Sequence, residues 1–96
     1  MTGTADPVPV RDIIMPLTSL TLAAIQAEAF RRHCRHAERS VLSKDMPNGQ
    51  RLAILVEAVG EVASTLASDG DMANLETELI QVAAVAAAWV EALNTR

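Results

Sequence analysis

The last helical segment of this chain is apolar on nearly every side. Its main stripe follows three- and four-residue steps, and further apolar residues cover most of the remaining surface. The stripe holds Leu75, Leu79, Val82, Ala83, Ala86, Val90 and Leu93, and the other apolar residues are Ile80, Ala84, Val85, Ala87 and Ala88. A helix that is apolar nearly all round is buried on more than one side. A small helical domain does not easily supply such burial alone, so this segment predicts a helical bundle completed by oligomerisation.

Two earlier segments have the periodicity of amphipathic helices. Together with the apolar segment, they predict helices at about 18–39, 50–67 and 74–93. The candidate N-cap residues, which have short polar side chains, are Thr18 or Ser19, then Asn48, and then Asn74 with Asp71 as the alternative. No strand is expected, so the fold class is all-α.

Composition and charge narrow the class of protein. Ninety-six residues make one domain with a net charge of −4 and a single cysteine. Residues 1–16 contain three prolines without helical periodicity, which predicts a flexible or extended arm before a helical domain at 17–96. The acidic balance argues against a nucleic-acid polymer as partner. The apolar run is too short to span a membrane, and the lone cysteine without a secretory signal indicates the cytoplasm.

Acidic residues border the apolar faces of the second and third predicted helices. Glu57 and Glu61 share a face, because residues four apart on a helix are neighbours. Glu78 lies at the edge of the last apolar stripe, with Gln81 one turn further on. Helical bundles build metal sites from inward carboxylates of facing helices, and such oxygen ligands select Mg²⁺ or Mn²⁺. The alternative is an ordinary solvated face, and spacing alone does not decide between the two.

These two segments resemble the motifs of the MazG-like branch of the all-α nucleotide pyrophosphohydrolases. Residues 51–63, Arg-Leu-Ala-Ile-Leu-Val-Glu-Ala-Val-Gly-Glu-Val-Ala, resemble the first acidic helix of that family, usually Glu-Glu-x-x-Glu after an apolar run. Residues 76–89, Glu-Thr-Glu-Leu-Ile-Gln-Val-Ala-Ala-Val-Ala-Ala-Ala-Trp, resemble the second, where Glu-x-x-Asp is usual. The likeness covers roughly residues 28–93 and implies a MazG-like helical bundle.

The resemblance implies Mg²⁺-dependent hydrolysis of a nucleoside triphosphate to a monophosphate and pyrophosphate. Glu57, Glu61 and Glu78 are then the metal ligands and the catalytic residues. A metal clamp and a placed water suffice for this reaction, which needs no protein nucleophile. Four further residues are candidates for substrate binding: Lys44 and Arg51 for phosphate, Gln81 for a water or a ligand, and Trp89 for a base, unless Trp89 is a core residue.

Two residues depart from the family pattern, and each removes one negative ligand. Ala58 stands where the family has its second glutamate, the one of its glutamates that helical geometry places nearest the core. Gln81 stands where a metal-binding aspartate is common. The resemblance therefore implies a hydrolase weakened by Ala58 and Gln81. The alternative is a catalytically silent MazG-like module that binds nucleotide or a protein partner, and in either case a homo-oligomer, dimer or tetramer, is expected.

The second half of the first predicted helix is basic and contains the run Arg31-Arg32-His33-Cys34-Arg35-His36. Cations near a helix C-terminus are stabilised by the macrodipole, so helix stability alone explains this run. The histidines and the cysteine superficially suggest zinc. Structural zinc normally needs four ligands, however, and the chain has no second Cys/His cluster, so no zinc site is expected.

Overall fold

The computed structural model describes residues 16–68 and 70–95, and this part of the chain contains helices and no strands. Helix α1 spans Ser19–His36 and continues as a 3-10 turn at Ala37–Arg39. Helix α2 spans Asn48–Ala67, and helix α3 spans Met72–Asn94. The predicted all-α fold is confirmed. The predicted N-terminal arm, apart from Pro16, lies outside the described residues.

The three helix N-termini are capped differently, and two of the caps differ from the first prediction. The side-chain oxygen of Thr18 accepts a backbone N–H from the first turn of α1, as predicted. The Asp71 carboxylate accepts the Asn74 backbone N–H at 2.8 Å, so Asp71, the alternative, is the cap of α3. The prediction of Asn48 as a cap is wrong, because Pro47 holds the N-cap position and Asn48 is the first helical residue.

Helix α3 is the central element of the fold. Both α1 and α2 pack against it, whereas α1 and α2 make no contact with each other over the described residues. The buried residues of α3 are Ala84, Val85, Ala88 and Ala92. Two sides of the apolar helix are therefore covered by helices of the same chain, which partly explains its composition. Leu79 and Val90 remain about half exposed.

The core is small and lies where the connection between α1 and α2 meets α3. Its buried cluster consists of Val41, Met46, Val85 and Ala88. Partly buried hydrophobic residues pack around this cluster, among them Ile54, Leu55 and Trp89. None of the helices described is long and apolar enough to cross a membrane.

A buried arginine holds the connection between α1 and α2. Arg51 is only 5% exposed, and its Nε and Nη2 donate hydrogen bonds to the carbonyl oxygens of Val41 and Ser43 at 2.9 and 2.6 Å. Its Nη1 donates to Asn48 Oδ1 at 3.1 Å. Because a buried guanidinium and buried carbonyls both need hydrogen-bond partners, these bonds hold the connection over the start of α2.

The connection between α2 and α3 is short and closes tightly. The Gly70 N–H donates to the Thr65 carbonyl oxygen at 2.8 Å. A Cβ atom at Gly70 would collide with the Thr65 side chain, so only glycine fits here without a shift. Helices joined by so short a connection run antiparallel, and this sets the register between the two acidic segments.

Candidate functional site

The predicted acidic residues lie on neighbouring surfaces of α2 and α3. Glu57 and Glu61 are exposed on α2, and Glu78 is partly buried on α3. The hydroxyl of Thr65 donates a hydrogen bond of 2.5 Å to Glu78 Oε1. Thr65 is one helical turn beyond Glu61 and on the same face of α2. Glu78 therefore lies beside the face that carries the first acidic segment.

The three carboxylates are not gathered at one point in the described structure. Over residues 16–68 and 70–95, no group of three or more His, Cys, Asp or Glu side chains is placed to hold a metal ion. A helix rises about 1.5 Å per residue, so the level of Thr65 is about 6 Å from Glu61 and about 12 Å from Glu57 along the axis. Glu78 thus lies nearer to Glu61 than to Glu57. Their roles as ligands stay a prediction.

The two positions that depart from the family pattern lie along the contact of α2 with α3. Ala58 is 6% exposed, whereas Glu57 and Glu61 are exposed, so position 58 faces the core more than either glutamate of its segment. Gln81 is partly buried, one turn beyond Glu78. In an antiparallel pair, one turn forward on α3 corresponds to one turn back on α2, so Gln81 lies near the level of Glu61. Carboxylates at positions 58 and 81 would complete a cluster around Glu61.

Three other residues were predicted to bind substrate, and the structure places each of them in different surroundings. Lys44 is exposed on the connection between α1 and α2. Arg51 donates three hydrogen bonds to other residues of the chain, so its guanidinium has a structural role. Trp89 packs beside the core cluster, and its indole N–H donates to Asn48 Oδ1 at 2.9 Å. The structure thus favours the core interpretation of Trp89.

A cavity of about 140 Å³, partly open to solvent, lies between α1 and α2, whose Cα atoms all stay more than 8 Å apart over the described residues. Small apolar residues of α3 line part of it. The other lining residues include charged and polar side chains from α1, the 3-10 turn and α2, namely Arg32, His33, His36, Arg39, Ser40 and Glu57. One carboxylate of the first acidic segment therefore lines the same cavity as residues of the basic run of α1.

Sequence reasoning missed this cavity, because it assigned the basic run to helix stability. The available signal was spacing: Arg32, His36 and Arg39 follow one another at steps of four and three residues, which is the spacing of one helix face. What the spacing does not contain is the position of Glu57 across the gap. That position depends on how α1 and α2 each pack on α3.

The basic residues differ in their partners. Arg31 donates two hydrogen bonds to Glu28 and thereby holds the pKa of that carboxyl below its usual value. Arg32 lies 4.0 Å from the same carboxylate. By contrast, neither His36 nor Arg39 has a hydrogen bond from its side chain or an ion pair with any other described residue. The cavity lining therefore includes the Arg39 guanidinium, a cation that has no ion-pair partner among the described residues.

No family model, curated protein or solved structure matches the chain significantly. The functional interpretation therefore depends on the residues of this chain and on their placement.

Proposed function

We propose that the chain is a MazG-like helical domain that binds a nucleoside triphosphate and, with Mg²⁺ or Mn²⁺, slowly hydrolyses it to a monophosphate and pyrophosphate. The hydrogen bond from Thr65 to Glu78 carries the proposal, because it joins the second acidic segment to the face of α2 that holds the first. The all-helical fold is the one that the resemblance implies. The two segments also occur in the order that the resemblance requires.

The donor set has the chemistry that a hard cation prefers. Glu57, Glu61 and Glu78 offer carboxylate oxygens, and Gln81 offers a neutral amide oxygen near the level of Glu61. A bound cation would supply neutralisation of phosphate charge and activation of a water. Thr65 holds Glu78 in one orientation, and Gln81 is the side chain suited to orienting a water. With Ala58 and Gln81 in place of two acids, the site has less negative charge, so low activity is expected.

A second candidate is a catalytically silent module that binds the nucleotide without hydrolysing it. The observation that favours it is the lack of a three-carboxylate group over the described residues, together with the buried Ala58. Without enough charged oxygens, the cation is bound weakly and phosphoryl transfer loses its main source of charge stabilisation. The nucleotide would still find cationic and apolar groups on the molecule.

We also propose that a homo-oligomer, dimer or tetramer, completes the fold in the cytoplasm. Several large hydrophobic side chains are exposed, among them Leu20 at 82%, Phe30 at 68% and Met72 at 71%. Extensive exposed apolar surface commonly marks an interaction site. Light scattering at micromolar concentration tests this proposal, and a monomer there would contradict it.

The hydrolase is tested with a panel of nucleoside triphosphates and Mg²⁺ or Mn²⁺, with pyrophosphate release as the readout. Glu78→Gln should abolish release, because it removes a charged oxygen from the face that Thr65 orients. Glu76→Gln is the matched control: it removes the same charge from the same helix, but two residues away and therefore on another face. Equal loss in both variants would contradict the assignment of Glu78.

Calorimetric binding of the same nucleotides separates the two candidates. Binding with pyrophosphate release supports the hydrolase, and binding without release supports the silent module. Absence of both would overturn the two proposals together.

A further inference from the structure

The cavity between α1 and α2 has the size of a small ion. Its volume of about 140 Å³ is below the roughly 300–1,000 Å³ that is usual for pockets holding drug-sized ligands. A nucleoside does not fit inside it, whereas a phosphate group does. The cavity lining includes Ala84 and Val85, which are 0% and 1% exposed. These buried apolar residues form one wall of the cavity, whereas His36, Arg39 and Glu57 in its lining are exposed.

The basic residues around the cavity favour the binding of an anion. Arg32, His36 and Arg39 line it, and the side chains of His36 and Arg39 form no hydrogen bond or ion pair with any other described residue, so they are available to a ligand. Glu57 is the only carboxylate in the lining, and it forms no ion pair with either arginine. Space thus remains between the acidic and the basic side of the cavity.

One wall of the cavity is ordered by hydrogen bonds. Ser40 is 4% exposed, and its Oγ accepts the Leu42 backbone N–H at 3.1 Å. The same Oγ lies 2.6 Å from Nδ1 of His33. These bonds tie the end of α1 to the start of the following connection. The basic side chains that precede Ser40 are therefore attached to a backbone held by hydrogen bonds, which reduces the entropy cost of gathering them around a ligand.

We infer that this cavity binds a phosphate oxyanion, namely the phosphate tail of the nucleotide, through Arg32, His36 and Arg39. The inference rests on the proposed function for the identity of the ligand. Guanidinium groups match phosphate oxygens with two parallel N–H donors, which makes arginine the usual residue for this contact. Glu57 lies on the opposite side, where the acidic face of α2 begins. The tail then extends from the basic cavity toward the acidic face.

The test is calorimetric titration of the full chain with pyrophosphate and with inorganic phosphate, in EDTA. Pyrophosphate should bind, and Arg39→Gln should weaken it by about tenfold or more, because a charge-assisted contact is lost. Arg35→Gln is the matched control, since Arg35 lies in the last turn of α1, just before the 3-10 turn that holds Arg39, is exposed like Arg39 and does not line the cavity. It should change the dissociation constant by less than about twofold, as expected for a screened surface charge. Melting curves verify that both variants fold.

Several outcomes would overturn the inference. These are no binding of either anion at millimolar concentration, equal weakening by Arg39→Gln and Arg35→Gln, or equal affinity for phosphate and pyrophosphate, which would exclude a site for the tail. Because EDTA removes the cation, the test is independent of hydrolysis. Binding of pyrophosphate by a chain that never hydrolyses nucleotides supports the cavity and refutes the hydrolase, while hydrolysis without such binding does the reverse.

Discussion

The acidic face of α2 and α3 and the cavity between α1 and α2 meet at Glu57 but are built differently. The acidic face follows from helical spacing within two segments, and two of its three glutamates are exposed. The cavity draws its lining from three helices and the turn after α1. In both regions most of the charged side chains are exposed, but the cavity adds a buried apolar wall formed by α3. The more obvious motif is therefore not the one that has a pocket beside it.

The two regions also differ in what they lack. The acidic face has the residue types of a metal site but no group of three ligands over the described residues. Among the described residues, the cavity lining has one arginine without an ion pair, Arg39, and one carboxylate, Glu57. A ligand that carries both phosphate and a divalent cation could bind to both regions at once. We therefore expect a variant in one region to change binding at the other only when such a ligand is present.

The largest effect is expected from Arg51→Met, which removes the hydrogen bonds that hold the connection beside the cavity. Its loss leaves buried carbonyl oxygens of the connection without donors, at a cost of about 1–3 kcal/mol for each unsatisfied group. The melting temperature should fall by about 10 °C or more, and pyrophosphate binding should fall with it. Lys44→Met, on the exposed part of the same connection, is the control and should change little. An unchanged melting temperature for Arg51→Met would contradict the structural role of Arg51.

The next effect is Ala58→Glu, which strengthens the acidic face. A glutamate there adds a charged ligand near Glu61, and since changes around metal sites are worth about 10- to 100-fold, pyrophosphate release and metal affinity should rise by at least that order. In EDTA the variant should melt lower than the parent, because position 58 is buried, and Mg²⁺ should restore stability by binding the folded state.

Two controls make the Ala58→Glu result specific. Ala63→Glu places the same side chain at an exposed position of α2 and should give neither effect. Adding Glu78→Ala to Ala58→Glu should abolish the gain in both activity and metal binding. Equal activity in the parent and Ala58→Glu would refute the idea that missing ligands limit the reaction, and complete inactivity in both would favour the silent module.

A smaller effect is expected from Gly60→Ala, within the acidic segment itself. Gly60 lies inside α2, and a Cβ atom there meets nothing within 4 Å. Glycine in a helix interior costs about 0.5–1 kcal/mol relative to alanine. The substitution should therefore raise the melting temperature by about 2–8 °C. A lower melting temperature, or loss of the oligomer, would indicate that another subunit packs against this position.

The smallest effect is expected from Glu28→Gln, which releases Arg32 at the edge of the cavity. The hydrogen bonds from Arg31 lower the pKa of Glu28, so the stabilisation is present above its ordinary value of 4.5 and is lost as the pH falls through the lowered pKa. Glu28→Gln should melt slightly below the parent at pH 7 and equally at pH 2. Glu38→Gln, at an exposed carboxylate, is the control. A difference that persists at pH 2 would point to packing instead of charge.

Much of the fold follows from local pattern. The three helices, their order and their approximate ends were predictable, because each is set by apolar periodicity and by short-range breaks such as the glycine and proline connections. The roles of Asp71 and Asn48 at the helix N-termini were less predictable. Whether a short polar side chain caps a helix depends on the backbone before it. Instead of capping α2, the side-chain oxygen of Asn48 accepts hydrogen bonds from Arg51 and Trp89.

The candidate site divides in the same way. That Ala58 faces the core more than Glu57 and Glu61 do was predictable from helical spacing, because side-chain direction follows from the turn of the helix. The structural use of Arg51 and the meeting of Glu57 with the basic run were not. Both join residues from different elements of the chain, and no periodicity within one element describes such a contact.

By itself, the sequence determined an all-α chain with an apolar last helix, two acidic segments and a basic run. Only the tertiary structure decided that α3 lies between α1 and α2, that these two flanking helices stay apart, and that the gap between them is a cavity with cations on one side and Glu57 on the other. The physical reason is that side-chain direction along one helix follows from its geometry, whereas the separation of two helices depends on the volumes packed against a third.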